Sequence, residues 1–175
     1  LAKSFYRAEP LSRNDLRRYA FDIRKELKIE NIFRFPVMNF LEFYPEIIGE
    51  DDFYYAVVDE NDLPPGVHAD YSLEHNCIRI RQSVYDGACN GIGRDRMTVM
   101  HEMSHALLLK ISGVKLQRNY SETLPTYCDP EWQAKCLAGE IMIPAHLVRG
   151  MKLDEVVQRC GVSYDAASYQ LSKIK

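Results

Sequence analysis

The chain has no Cys-x-x-Cys pair, no membrane-length apolar run, no strong charge of either sign, no internal repeat and no low-complexity tract. Its five cysteines (Cys77, Cys89, Cys128, Cys136 and Cys160) are odd in number and scattered. That pattern excludes a disulfide framework and points to a reducing cytoplasm, with each thiol acting as a small hydrophobe. The longest wholly apolar run, around Ala106-Leu107-Leu108-Leu109, is far short of the ~20 residues that span a bilayer. A formal charge of −3 argues against nucleic acid as the main partner of the whole chain. No signal-like start is visible, and the sequence opens on Leu1 rather than Met, so the natural N-terminus is expected upstream. What remains is 175 residues, 46% of them hydrophobic. That is enough for one compact domain, alone or with a small appendage.

The pattern along the chain is mixed. Ser12 with Asp15 reads as a capping box, and Leu16, Tyr19, Ala20, Ile23 and Leu27 then fall on one helical stripe. Arg17, Arg18, Arg24 and Lys25 on this helix are expected to form a solvated face. Pro36 can open a short helix to about Phe43, ending before Pro45. Residues 53–58 are β-branched and aromatic. Residues 68–73 and 77–81 form an expected hairpin, with Ile78 and Ile80 alternating with Arg79 and Arg81. A small antiparallel sheet is thus expected, with an edge that an extended peptide could join. One helix is expected over 94–111 and a loop over 113–127. Asp129-Pro130 reads as an N-cap and first helical position for a helix stopped by Pro144. Two short helices over 153–160 and 164–174 flank Gly161-Val162-Ser163 with helix-turn-helix dimensions. The fold class expected is α+β. A helical domain with the small sheet would occupy residues 1–150, and a helix-turn-helix-like segment residues 151–175.

The most informative residues are His101-Glu102-Met103-Ser104-His105. Histidines four apart on a helix project from one face, about 40° apart around the axis. Two imidazoles so placed can reach one metal ion at ~2 Å. Glu102 points obliquely towards the same cleft, where a carboxylate can take a proton from metal-bound water. The leucines after His105 make the helix apolar almost all round, so it is expected to be buried. Buried His101, Glu102 and His105 then need partners. A metal would satisfy all three.

A catalytic zinc needs three protein ligands. The segment after Ala106 lacks the glycine and third histidine of the metzincin pattern, so the third donor must come from elsewhere. Glu131 is the candidate, because it shares a face with Ala134 and Ala138, which would let its helix approach the first closely. A carboxylate in a first helical turn also simply complements the helix dipole, and both readings stand on position alone. Glu140, nine residues on, is half a turn out of phase and is expected at the surface. Cys128, His68, His75 and His146 are alternative donors. Arg94 and Arg96 could meet a substrate carboxylate or solvate the helix start, and Tyr120 and Tyr127 could donate to an oxyanion.

Residues 96–108, Arg-Met-Thr-Val-Met-His-Glu-Met-Ser-His-Ala-Leu-Leu, resemble the signature of the ImmA/IrrE family of bacterial and phage metallopeptidases. Residues 131–144 resemble that family's second block, in which a glutamate opens a helix, alanines recur and an apolar pair precedes proline. The final helix pair resembles a segment that follows in many members. Lys135-Cys136 departs from the usual Asn or Asp followed by a variable residue, and the 113–127 loop is this chain's own. The resemblance implies a zincin-like metallopeptidase domain over residues 1–150, with Zn²⁺ held by His101, His105 and Glu131 and Glu102 as general base. It further implies a cytoplasmic zinc-dependent endopeptidase acting on a specific repressor-like regulatory protein, without membrane or nucleic-acid partners for this domain. Two other readings compete with it: a peptidase-shaped binding or sensor module without catalysis, and a DNA-binding regulator using the C-terminal helix pair. The intact Glu102 speaks against the first. A surplus of two cations among residues 149–175 is a small footprint for the second.

Overall fold

The computed structural model describes residues 6–111, 117–118 and 124–174. The remainder of the expected 113–127 loop, with Tyr120, lies outside the described residues. The first strand, β1 (Tyr6–Arg7), is followed by α1 (Arg13–Glu26), α2 (Val37–Glu42) and α3 (Tyr44–Ile48). Next come β2 (Tyr54–Val58), β3 (Ala69–Ser72), β4 (Cys77–Arg81), α4 (Gln82–Cys89) and the long helix α5 (Gly93–Ile111). After β5 (Gln117–Arg118) and a 3₁₀ turn (Thr126–Cys128), the chain forms α6 (Pro130–Met142), α7 (Ala145–Val148), α8 (Leu153–Cys160) and α9 (Tyr164–Leu171). The class is α+β, with α5 and α6 packed side by side at the centre and α1 against the other side of α6.

Local chemistry accounts for the helix starts. The Ser12 hydroxyl accepts from the Asp15 amide while the Asp15 carboxylate accepts from the Ser12 amide at 3.0 Å, closing the capping box of α1. Asp129 caps α6 by accepting from the Glu131 amide at 3.0 Å, with Pro130 in the first turn where its missing N–H costs nothing. Gly161 ends α8 in the left-handed region, at φ +63°.

The three-stranded sheet departs from the antiparallel one expected. Its order is β2-β4-β3; β3 runs antiparallel to β4, but β2 pairs with β4 in parallel. The hairpin puts β4 in the middle, so β2 joins its free side rather than pairing with its sequence neighbour β3. Alternation of apolar and polar residues specifies which face is buried, not which strand lies alongside. Cys77, Ile78 and Ile80 of β4 are buried, while Arg79 crosses to Asp70 of β3 at 2.9 Å. β3 lies against α5.

Three charged side chains are buried: Arg24 and Glu140, where solvent was expected, and Arg96, expected either to meet a substrate carboxylate or to solvate the helix start. Arg24 is fully covered; it donates to the carbonyl of Ile141 at 2.6 Å and to those of Ile29 and Ile32. It thereby satisfies the last turn of α6, whose carbonyls lack helical partners. Glu140 is buried too, accepting from Arg17 at 2.8 and 3.1 Å and from Arg13 at 3.1 Å. The half turn that removes Glu140 from the Glu131 face points it at α1. Arg96 is also buried and donates to the carbonyls of Phe35 (2.6 Å), Cys160 (3.1 Å) and Gly161. It ties the end of α8 to α5, and Val156, Cys160, Val162 and Ala167 of the C-terminal pair belong to the same apolar core as α5 and α6.

Candidate metal centre

Helix α5 presents His101 and His105 on one face, as the four-residue spacing requires. Their Nε2 atoms lie 3.2 Å apart, with the rings nearly perpendicular at 88°. Helix α6 packs closely on α5, and Ala134 and Ala138, on the same face of α6 as Glu131 by helical spacing, are fully buried. Glu131, in the first turn of α6, then faces both rings. One carboxylate oxygen is 3.4 Å from His101 Nε2 and the other 3.4 Å from His105 Nε2.

This donor set fits a metal ion. Two ligand atoms each about 2.0–2.1 Å from a tetrahedral centre lie about 3.3 Å from one another. The separations here are 3.2, 3.4 and 3.4 Å. Three side chains of the kinds that bind zinc converge on one point, the two Nε2 atoms facing each other and the exposed Glu131 carboxylate. The histidine contacts hold the Glu131 carboxyl well below the usual carboxylate range, first through His101 and then His105. Its anionic form, the one a metal requires, is thus favoured.

Glu102 sits just behind the histidines. It is 9% exposed, and burial is the main reason its carboxyl is raised to about 7. The negative charge of Glu131 acts in the same direction; His101 and a hydrogen bond from the backbone of Tyr71 oppose it. The β3 backbone therefore reaches the base of the site. In front lies a cleft of about 490 Å³, lined by the triad and Glu102 together with Val67, Tyr71, Leu73 and Leu108, among others. Its far wall includes Tyr6 and Ala8. The N-terminal segment is laced to the approach to α6 by the Ala8 amide on the Cys128 carbonyl (2.9 Å) and the Leu11 amide on the Tyr127 carbonyl (3.0 Å). Buried Gln133 holds the same corner through the carbonyls of Glu9 and Tyr127, both at 2.7 Å.

The alternative donors are elsewhere. His68 faces Arg94 at 3.1 Å. His75 lies beside Tyr54 and Ser72 at a separate pocket, and His146 donates to the Glu30 carbonyl at 2.7 Å. Cys128 is buried outside the cluster, and Asp129 is engaged as the α6 cap. Arg96 does not reach the cleft, and Tyr127 is half exposed with its carbonyl engaged by Leu11 and Gln133. Nothing in the sequence singles out Tyr71 or Gln133: one acts through its backbone, the other resembles any polar residue in a first helical turn.

No family model matches the sequence, and no curated protein matches it. Among solved structures, the chain is similar in fold to a Mycobacterium tuberculosis transcriptional regulator, with a TM-score of 0.59 and 14% sequence identity. The similarity covers 90% of this chain but 46% of the regulator, so the chain spans about half the length of the structure it matches. This finding corrects the expected function. The resemblance implied a zinc-dependent endopeptidase cleaving a repressor-like protein, whereas this solved structure of similar fold is a transcriptional regulator. At 14% identity the likeness shows the fold alone, and the competing regulator reading stands as a proposal. The physical reason is general: a scaffold that presents His, Glu and His on a helix does not fix what the site is used for. Among the described residues, no helix is long and apolar enough to cross a membrane.

Proposed function

We propose that this chain is the sensory domain of a transcriptional regulator. In this reading the His101–His105–Glu131 centre and its cleft form a metal-supported binding site whose occupancy sets the regulator's state. The observation carrying the reading is the shared fold with a described regulator over 90% of the chain, and the cleft beside the triad supplies the place where a signal would bind. Zn²⁺ is the metal proposed, since two imidazoles and one carboxylate suit it. When bound, it would supply a fixed positive charge and an open coordination position for an anionic or carbonyl group of the ligand. His101 and His105 would hold it with Nε2, Glu131 would balance charge, and Glu102 would orient the bound ligand by exchanging one hydrogen bond with it. Kinship with ImmA/IrrE proteins is proposed for the fold and donor set, not for their activity. A reducing cytoplasm is the proposed compartment, all five cysteines being free.

The test is transcript abundance in the native host, comparing the intact gene, its deletion and a His101→Ala/His105→Ala allele. The double substitution is expected to reproduce the transcript changes of the deletion. Overturning the reading would take unchanged transcripts in both altered strains. Cleavage of a cellular protein by the zinc-loaded chain, lost in Glu102→Gln, would overturn it as well.

A further inference from the structure

A second cavity of about 420 Å³ lies between α1 and the junction of α6 with α7, lined in part by Arg17, Arg18, Phe21, Arg24, His146 and Arg149. Four guanidinium groups around one cavity are conspicuous in a chain whose formal charge is −3. The acids nearby do not balance them. Glu140 is shared between Arg13 and Arg17, and Asp15 pairs with Arg18 at 3.3 Å. Among the described residues Arg24 and Arg149 pair with no carboxylate. Arg24 is fully buried, and its Nε has no hydrogen-bond partner. Burial pushes that guanidinium down to about 10, which still leaves it charged at neutral pH. One wall is aromatic: Phe21 meets His146 edge-to-face, with ring centroids 5.1 Å apart.

We propose that this cavity binds a phosphate-bearing small molecule with a planar ring, of the nucleotide class, its phosphates meeting Arg18 and Arg149 and its ring resting on Phe21 and His146. Planar guanidinium forks match phosphate oxygens in pairs, and a cavity of this volume suits a whole nucleotide with its ring against an aromatic wall. The site is separate from the metal centre and does not depend on its role. Glu131 and Glu140 nonetheless stand at opposite ends of α6, so occupancy of the cavity would bear on the helix that carries the third metal donor.

Isothermal titration of the purified chain with ADP and, separately, with sodium pyrophosphate tests this. Saturable binding of both is expected, ADP being tighter through its ring. Arg149→Gln and Arg18→Gln alter exposed side chains and should each weaken ADP by about tenfold, the loss of one charged hydrogen-bonding partner, with zinc content unchanged. No saturable binding at millimolar ADP, or ADP affinity unmoved by both substitutions, would overturn the proposal. So would equal affinities for ADP and pyrophosphate, or a DNA duplex that competes with ADP in proportion to its phosphates.

Discussion

At the scale of single residues, Glu102 separates this site from a polar helix face. Its carboxyl is raised to about 7 from an ordinary value of 4.5, chiefly by burial. In the folded, metal-free protein it therefore keeps its proton where the unfolded chain has lost it. A raised folded value contributes stability that is complete below about 4.5 and is lost as pH rises through about 7. The loss amounts to at most about 3.5 kcal/mol, since each tenfold difference in proton affinity is worth about 1.4 kcal/mol. Urea unfolding of the chelator-treated protein should thus show wild type losing stability relative to Glu102→Gln between pH 5 and pH 8. A difference that does not change with pH would mean the carboxyl is not held neutral by its surroundings.

At the scale of elements, α6 shows what a carboxylate does when turned half a revolution from its neighbour. Glu131 faces the histidines and Glu140 faces α1, where Arg13 and Arg17 hold it in a fully buried position. Glu140→Ala is expected to cost roughly 3 kcal/mol of unfolding free energy, because removing one partner leaves buried charge uncompensated. Zinc content should be unchanged. Denaturant titration beside metal analysis checks both; a cost below about 0.5 kcal/mol would make Glu140 a surface residue after all. Arg96 does similar work between α5 and α8. Arg96→Met strips hydrogen bonds from three carbonyls, so amide exchange in residues 153–171 should rise well ahead of exchange in α5. Uniform exchange across both segments would contradict that role.

The elements were legible in sequence to unequal depth. The bounds of α1, α6 and α8 follow from Ser12, Asp129-Pro130 and Gly161, whose chemistry acts within one turn. The histidine pair was readable for the same reason, its geometry being internal to one helix. Glu131 could be proposed, but only the packing of α6 on α5 brings it to the rings. Helix α4, the parallel partner of β4 and the buried state of Arg24, Arg96 and Glu140 were not legible. The strand pairing and the buried charges depend on neighbours tens of residues away, and an arginine on a helix face reads the same whether it meets water or a carbonyl; α4 packs on the adjacent α5, and its short sequence has no capping residue to mark its start.

At the scale of the whole molecule, α5, α6, β3 and the N-terminal segment line a cleft that holds a His-His-Glu cluster, and a solved structure of similar fold is a transcriptional regulator. The proposed sensory role rests on that cluster holding metal. Elemental analysis of the purified chain after dialysis against zinc, comparing wild type with His101→Ala, His105→Ala and Glu131→Gln, tests this most directly. About one zinc per chain is expected for wild type. The histidine variants should lose it, and Glu131→Gln should hold it far more weakly, because a neutral amide replaces a charged oxygen donor. Wild-type zinc content in all three variants, or none in wild type, would contradict the account.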